Sequence, residues 1–139
     1  MPYIIVKIQE GAGTERKREL LRRLTETTVE SLGVSPAVVR VVIEEAPKEN
    51  WACAGMTWKE WQAEDFRQIP FLIVRFTEGF PKEKKEALIA GLSKAAAEAL
   101  DTDLSLVKGI FEEVPLDAWA NGGILLSALR KSGDGSAVN

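Results

Sequence analysis

The sequence predicts an α+β fold in which tandem β-α-β repeats build a four-stranded sheet with two helices on one face. Three observations predict it. Sliding the 139-residue chain against itself by 68 positions aligns its halves without a gap, and 18 of the 54 pairs between residues 2–55 and 70–123 are identical. Each half opens with a short run of alternating apolar residues, the pattern of a half-buried strand. A long stretch with leucines at helical spacing follows in both, and then a second strand-like run.

The elements follow in order. In residues 3–9, Ile4, Val6 and Ile8 point to one face and Tyr3, Ile5, Lys7 and Gln9 to the other. The second copy repeats this with Leu72, Val74 and Phe76 against Phe71, Ile73, Arg75 and Thr77. Gly11 and Gly79 mark turns. Thr14 is the expected N-cap of the first helix, whose stripe is Leu20, Leu21, Leu24, Thr28 and Leu32 before Gly33. Pro81 suits the first turn of the second helix, with Leu88, Leu92, Ala95, Ala96 and Leu100 as its buried stripe. Second strands are expected at 38–44 and 106–112, each parallel to its predecessor through a right-handed crossover. Gly55 and Gly122-Gly123 end the copies in hairpin-like excursions.

The chain therefore divides into a first repeat at 1–57, a linker at 58–69, a second repeat at 70–125 and a C-terminal tail at 126–139. Trp58 and Trp61 are read as hydrophobic anchors of the linker, and residues 132–139 as frayed. Two units of this kind leave one sheet face bare, and oligomerisation through that face is the expected remedy.

Composition removes several function classes. The net charge is −3 with no separate Lys/Arg block, so neither nucleic acid nor an anionic membrane is expected as partner. No apolar run approaches the roughly 20 residues of a membrane span, and residues 1–10 lack the pattern of a signal peptide. Cys53 is the lone cysteine and is read as structural, with a cytoplasmic location expected. There is no histidine, which removes Ser-His and Cys-His catalysis; no zinc or iron centre is expected. Glu44-Glu45 and Glu112-Glu113 are neighbours on strands, so each pair splits across the sheet and forms no carboxylate dyad.

That leaves Pro2. Methionine is generally removed before a small second residue, and Pro2 then carries a secondary amine at the start of a strand. A free chain terminus titrates near 8. Burial and nearby cations lower it toward neutrality, where a general base works best. Pro70 has no such option, because its nitrogen is a tertiary amide. One working site and one vestigial site per chain are expected.

The Pro2 strand, the Glu10-Gly11 turn, the helix, the 35–43 segment and the aromatic-glycine end at 51–55, all repeated in the second half, resemble the tautomerase superfamily typified by 4-oxalocrotonate tautomerase. Two units in one chain resemble its fused branch, whose members assemble as trimers. The resemblance implies a tautomerase-like fold and a cofactor-independent tautomerase, with no metal, acting on a small 2-hydroxydienoate or 2-oxo acid carboxylate. It implies Pro2 as general base and acid, Arg40 and Lys108 as carboxylate or oxyanion binders, and Trp51 and Trp119 as apolar walls. A homotrimer is implied as well.

The chain also departs from the pattern. Ala12 and Phe80 stand where the short enzymes carry an arginine. Thr77 and Phe80 stand where fused dehalogenases carry an arginine pair, and Asn121 lies near the place of a water-activating acid. Dehalogenation or acetylenic hydration is therefore not expected as the main activity, and Arg75 and Lys7 are the substitute carboxylate binders. Two alternatives stay open: a decarboxylase or hydratase-dehalogenase-like activity on the same scaffold, and a non-catalytic oligomeric module in which Pro2 is a relic. The same residues also have plain structural readings. Pro2 suits the start of an edge strand, Arg40 and Lys108 suit an interface, and the tryptophans suit packing.

Overall fold

Alternation puts the first apolar set of each opening strand on one side, and that side becomes the core. In β1 (Tyr3–Gln9) and β5 (Phe71–Thr77), residues Ile4, Val6, Ile8, Leu72, Val74 and Phe76 are buried. The computed structural model describes residues 1–57, 60 and 68–131, so Trp58, Trp61 and 132–139 lie outside the described residues. Helices α1 (Gly13–Leu32) and α2 (Lys82–Ala99) lay their leucine stripes on this face, with Leu20, Leu24, Thr28, Leu32, Leu88, Leu92, Ala95 and Ala96 buried. Leu21, expected in the first stripe, is only half-buried.

The helices touch closely at Gly91, where a Cβ would lie 2.6 Å from Thr27 Cγ2. Across the same contact the Lys84 ammonium donates to the Leu32 carbonyl at 3.3 Å, satisfying one of the orphan acceptors at the end of α1. Thr14 does not cap α1. Gly11 and Gly13 both take positive φ, and the helix starts two residues early, with Ala12 at the cap and no side-chain bond. Pro81 likewise sits at the cap position of α2, just outside the first turn.

The second strands are β2 (Arg40–Ala46) and β6 (Lys108–Val114), two residues later than the sequence predicts. Short 3₁₀ turns at Pro36–Val38 and Leu104–Leu106 absorb the difference. Sheet order is β2-β1-β5-β6, parallel in the outer pairs and antiparallel at the centre. That central pairing relates the repeats by a pseudo-two-fold: Tyr3 faces Arg75, Ile5 faces Ile73, and Lys7 faces Phe71.

Each copy ends in the expected hairpin, β3 (Ala52–Cys53) with β4 (Met56–Thr57) and β7 (Ala120–Asn121) with β8 (Ile124–Leu125). Residues 126–131, assigned to a tail, instead form helix α3 (Leu126–Lys131). Leu126 is fully buried and fixes it. Among the described residues no helix is long and apolar enough to cross a membrane.

Candidate active site

The two prolines open their strands identically. The Arg40 N–H donates to the Pro2 carbonyl and the Lys108 N–H to the Pro70 carbonyl, both at 3.2 Å. What precedes each proline differs. Before Pro70, Gln9 and Gln68 exchange amide bonds. The Gln9 N–H donates to Gln68 Oε1 at 3.0 Å, and Gln68 Nε2 donates to the Gln9 carbonyl at 2.8 Å. The Ile69 N–H donates to Gln9 Oε1 at 2.9 Å. Both glutamines are buried, so this approach is closed.

At the pseudo-equivalent of Gln9 stands Thr77, also buried. The antiparallel register, carried two residues past Tyr3–Arg75, brings Met1 to it, and the Met1 amine donates to Thr77 Oγ1 at 3.1 Å. Met1 is half-buried against the core. Burial first, and the Arg130 charge second, lower its amine from 8.0 to about 6.

Arg130, whose charge bears on the Met1 amine, is a residue that sequence reasoning did not single out. It comes from α3 and lines a cleft of about 250 Å³ with residues 32–34 and 78–80. The Phe80 ring there stands edge-on to Phe76, with centroids 6.4 Å apart. The available signal was the run of good helix formers after Gly122-Gly123, in which Arg130 falls one turn beyond Leu126.

The other candidates separate by sheet end. Pro2, Arg40 and Arg75 lie at one end, and Trp119 joins them because it follows β6, whose Val114 pairs with Thr77. Lys108 pairs with Phe71, which faces Lys7, so it stands at the Pro70 end, roughly 20 Å away by strand rise. Trp51 is at that end too, lining a cleft of about 320 Å³ with Lys7 and Glu44.

Each of the four cations predicted from the sequence has a partner in the chain. Arg40 folds back onto the Ala37 and Val39 carbonyls at 2.7 and 3.3 Å. Lys108 donates to the Ser105 carbonyl at 3.0 Å. Arg75 holds Glu112 at 3.0 Å, and Lys7 holds Glu44 at 3.4 Å. Glu45 pairs on the helix side with Lys17 at 2.6 Å, and Glu113 pairs with Lys85, so the adjacent glutamates do split across the sheet. A larger cleft of about 400 Å³ lies between α1 and α2 and is lined by residues of those two helices, neither proline among them. Its arginines are engaged with Glu19, Glu26 and Glu98.

A family model described as tautomerase enzyme matches the chain twice, over residues 2–60 and 70–129. The chain belongs to the tautomerase family. It is 40% identical over 60 residues to the 2-hydroxymuconate tautomerase of Comamonas testosteroni, covering 43% of this chain and 95% of that one. The 2-hydroxymuconate tautomerase of Bacillus subtilis (strain 168) is 44% identical over 55 residues, or 40% of this chain and 89% of the relative.

Among solved structures, native fused 4-OT superposes with a TM-score of 0.83 at 30% identity, over 92% of this chain and 98% of that one. Pt0534 inactivated by 2-oxo-3-pentynoate gives 0.81 at 30%, over 91% and 98%. The F6 fused 4-OT asymmetric trimer gives 0.82 at 29%, over 91% and 98%. This tautomerase is thus an isomerase with the fused two-repeat fold of those neighbours.

Proposed function

We propose that this tautomerase interconverts the enol and keto forms of a small 2-hydroxydienoate or 2-oxo acid, with Pro2 as base and then acid. The observation that carries the reading is the contrast between the repeats. Gln9 and Gln68 seal the approach to Pro70, whereas among the described residues the approach to Pro2 is taken by Met1, bonded to Thr77 and within the field of the Arg130 charge. Loss of Met1 turns the Pro2 nitrogen into a secondary amine in surroundings that disfavour a cation. The neutral amine takes a proton from the enol or the acidic carbon and returns it elsewhere on the conjugated system.

Arg40 begins the strand beside Pro2, and Trp119 lies at the same end of the sheet. Lys108 and Trp51, roughly 20 Å away, belong to another protomer's site or to none, since a lysine side chain cannot span that length. The relatives named as 2-hydroxymuconate tautomerases support the substrate class, and the F6 trimer supports a homotrimer.

The test is a spectrophotometric enol-to-keto assay with 2-hydroxymuconate on untagged protein, beside Pro2→Ala. Intact mass should be lower by one methionine, and Pro2→Ala should lose about 10²- to 10⁴-fold in turnover. Because the neutral amine is the base, kcat/KM should rise with pH along a limb lying below the ordinary amine value of about 8. Retained Met1 or unchanged turnover in Pro2→Ala would overturn the mechanism; retained Met1 would favour the non-catalytic module.

A further inference from the structure

Met1 is joined to Pro2 through its carbonyl carbon, so covalent geometry fixes how far its own nitrogen stands from the Pro2 nitrogen. For the extended backbone that a residue before proline favours, the separation is about 3.5 Å. The same point lies 3.1 Å from Thr77 Oγ1, to which the Met1 amine donates. A polar atom placed there is at or close to hydrogen-bond distance from both the ring nitrogen and the hydroxyl. Once the methionine is gone, that point is open to a substrate oxygen that has to meet the Pro2 amine.

The hydroxyl is held in place by its strand. Thr77 is fully buried, and it ends β5 in register with Val114 of β6. Directly after it, the Glu78 N–H donates to the Val114 carbonyl at 3.0 Å, and Glu78 Oε1 accepts the Leu116 N–H at 3.0 Å. Phe76 precedes it, buried, with the Phe80 ring set edge-on. A hydroxyl fixed in such surroundings acts more strongly than one in water and has no reorganisation to undergo.

The other repeat holds a different side chain at this position. Gln9 accepts the Ile69 N–H at 2.9 Å through Oε1 and donates from Nε2 to the Ile69 carbonyl at 3.5 Å. Ile69 stands before Pro70 as Met1 stands before Pro2, so in both repeats this side chain meets the nitrogen of the residue preceding the proline. The carboxamide grips both ends of a residue that never leaves. Threonine meets one atom, and its hydroxyl either accepts from an ammonium or turns its proton toward an oxygen. That versatility suits an occupant that is replaced, and whose oxygen changes from enol to carbonyl.

We infer that the Thr77 hydroxyl donates to the 2-oxygen of the substrate while Pro2 takes that oxygen's proton. This rests on Pro2 being the catalytic amine. The Pro2 lone pair takes the 2-hydroxyl proton, and the O–H electron pair becomes the carbonyl π bond. The displaced C=C pair then accepts the same proton from Pro2 at a carbon of the conjugated chain. Charge builds on the 2-oxygen during the first transfer, and a donor already aimed at it stabilises that charge. Thr77 is then a catalytic residue that neither supplies nor keeps the proton.

The experiment uses the mature full chain, with 2-hydroxymuconate as substrate and adipate and 2-oxoadipate as competing diacids that differ only in the 2-oxygen. Thr77→Val keeps the side-chain shape and removes the hydroxyl. It should lower kcat roughly 10- to 100-fold, as loss of a hydrogen bond to a charged oxygen does. Thr77→Ser should recover most of that loss. Thr77→Val should also weaken inhibition by 2-oxoadipate roughly 3- to 10-fold and leave that by adipate unchanged, because only one of the two presents an oxygen to the hydroxyl. Melting curves show which variants keep the fold, and Thr77→Ala serves where the valine form does not. Wild-type kcat in a folded Thr77→Val or Thr77→Ala, or equal weakening of both inhibitors, would overturn the assignment of Thr77 and leave Pro2 standing. Full turnover in Pro2→Ala, or an inactive wild type, would sink the Pro2 reading itself.

Discussion

Gln9 and Thr77 occupy the same place in the two repeats, and their chemistry decides what each proline can reach. A glutamine side chain offers both donors and an acceptor, whereas threonine offers one hydroxyl. Gln9 uses its oxygen to accept the Ile69 N–H at 2.9 Å while its backbone exchanges bonds with Gln68. Gln9→Ala leaves the Ile69 N–H without that acceptor in a half-buried position. The cost should be about 1–3 kcal/mol, seen by calorimetry as a fall in Tm of several degrees. An unchanged Tm would mean that the linker is not held by this amide. The sequence marks both residues as polar ends of strands on the open face, and strand alternation says nothing of the chain segments that bury them. The aligned repeats did carry a hint, since Gln9/Thr77 is a mismatch flanked by the identical pair Glu10/Glu78.

The elements that were legible are those written in local chemistry: alternation for β1 and β5, leucine stripes for α1 and α2, glycines for the hairpins. Those that were displaced depend on turns whose sequence signal is weak. The 3₁₀ segments before β2 and β6 contain valines or leucines that read as strand, which moved the predicted starts forward by two residues. Helix α3 was missed because six residues hold too few turns to show a period, and with it Arg130 was missed.

Repeat symmetry extends to backbone angles and yields a prediction about one hairpin. Ala54 has φ +53° where its counterpart Gly122 has +58°, and Gly55 and Gly123 follow at +79° and +81°. The left-handed region costs a residue with a Cβ about 1–2 kcal/mol, offset in part by the greater freedom glycine loses on folding. Ala54→Gly should therefore stabilise the chain by about 1 kcal/mol and raise Tm by a few degrees. A lowered Tm would show that the Ala54 methyl makes a contact worth more than the strain.

Seen whole, the chain has one covered and one uncovered sheet face, and the uncovered face is ordered in rows. A central row runs Val42, Ile5, Ile73, Ile110 across all four strands. One flanking row is Arg40, Tyr3, Arg75, Glu112, and the other is Glu44, Lys7, Phe71, Lys108. Val42 and Ile110 are 38% and 46% exposed in the isolated chain, an apolar stripe rimmed by charge as protein interfaces are. If the stripe seats neighbouring copies in a homotrimer, Ile110→Lys should change folding little, because a half-exposed site tolerates polarity to within about 0.5 kcal/mol. Burying its ammonium against a neighbour would cost several kcal/mol. The variant should then keep the wild-type circular dichroism but sediment below three times the 15.3 kDa chain mass. Its tautomerase activity should fall as well if a neighbour supplies Lys108 or Trp51, the two candidates stranded at the wrong end of their own sheet. Full trimer mass in Ile110→Lys would mean that copies meet elsewhere, and a monomer of undiminished activity would mean that the Pro2 site is complete within one chain.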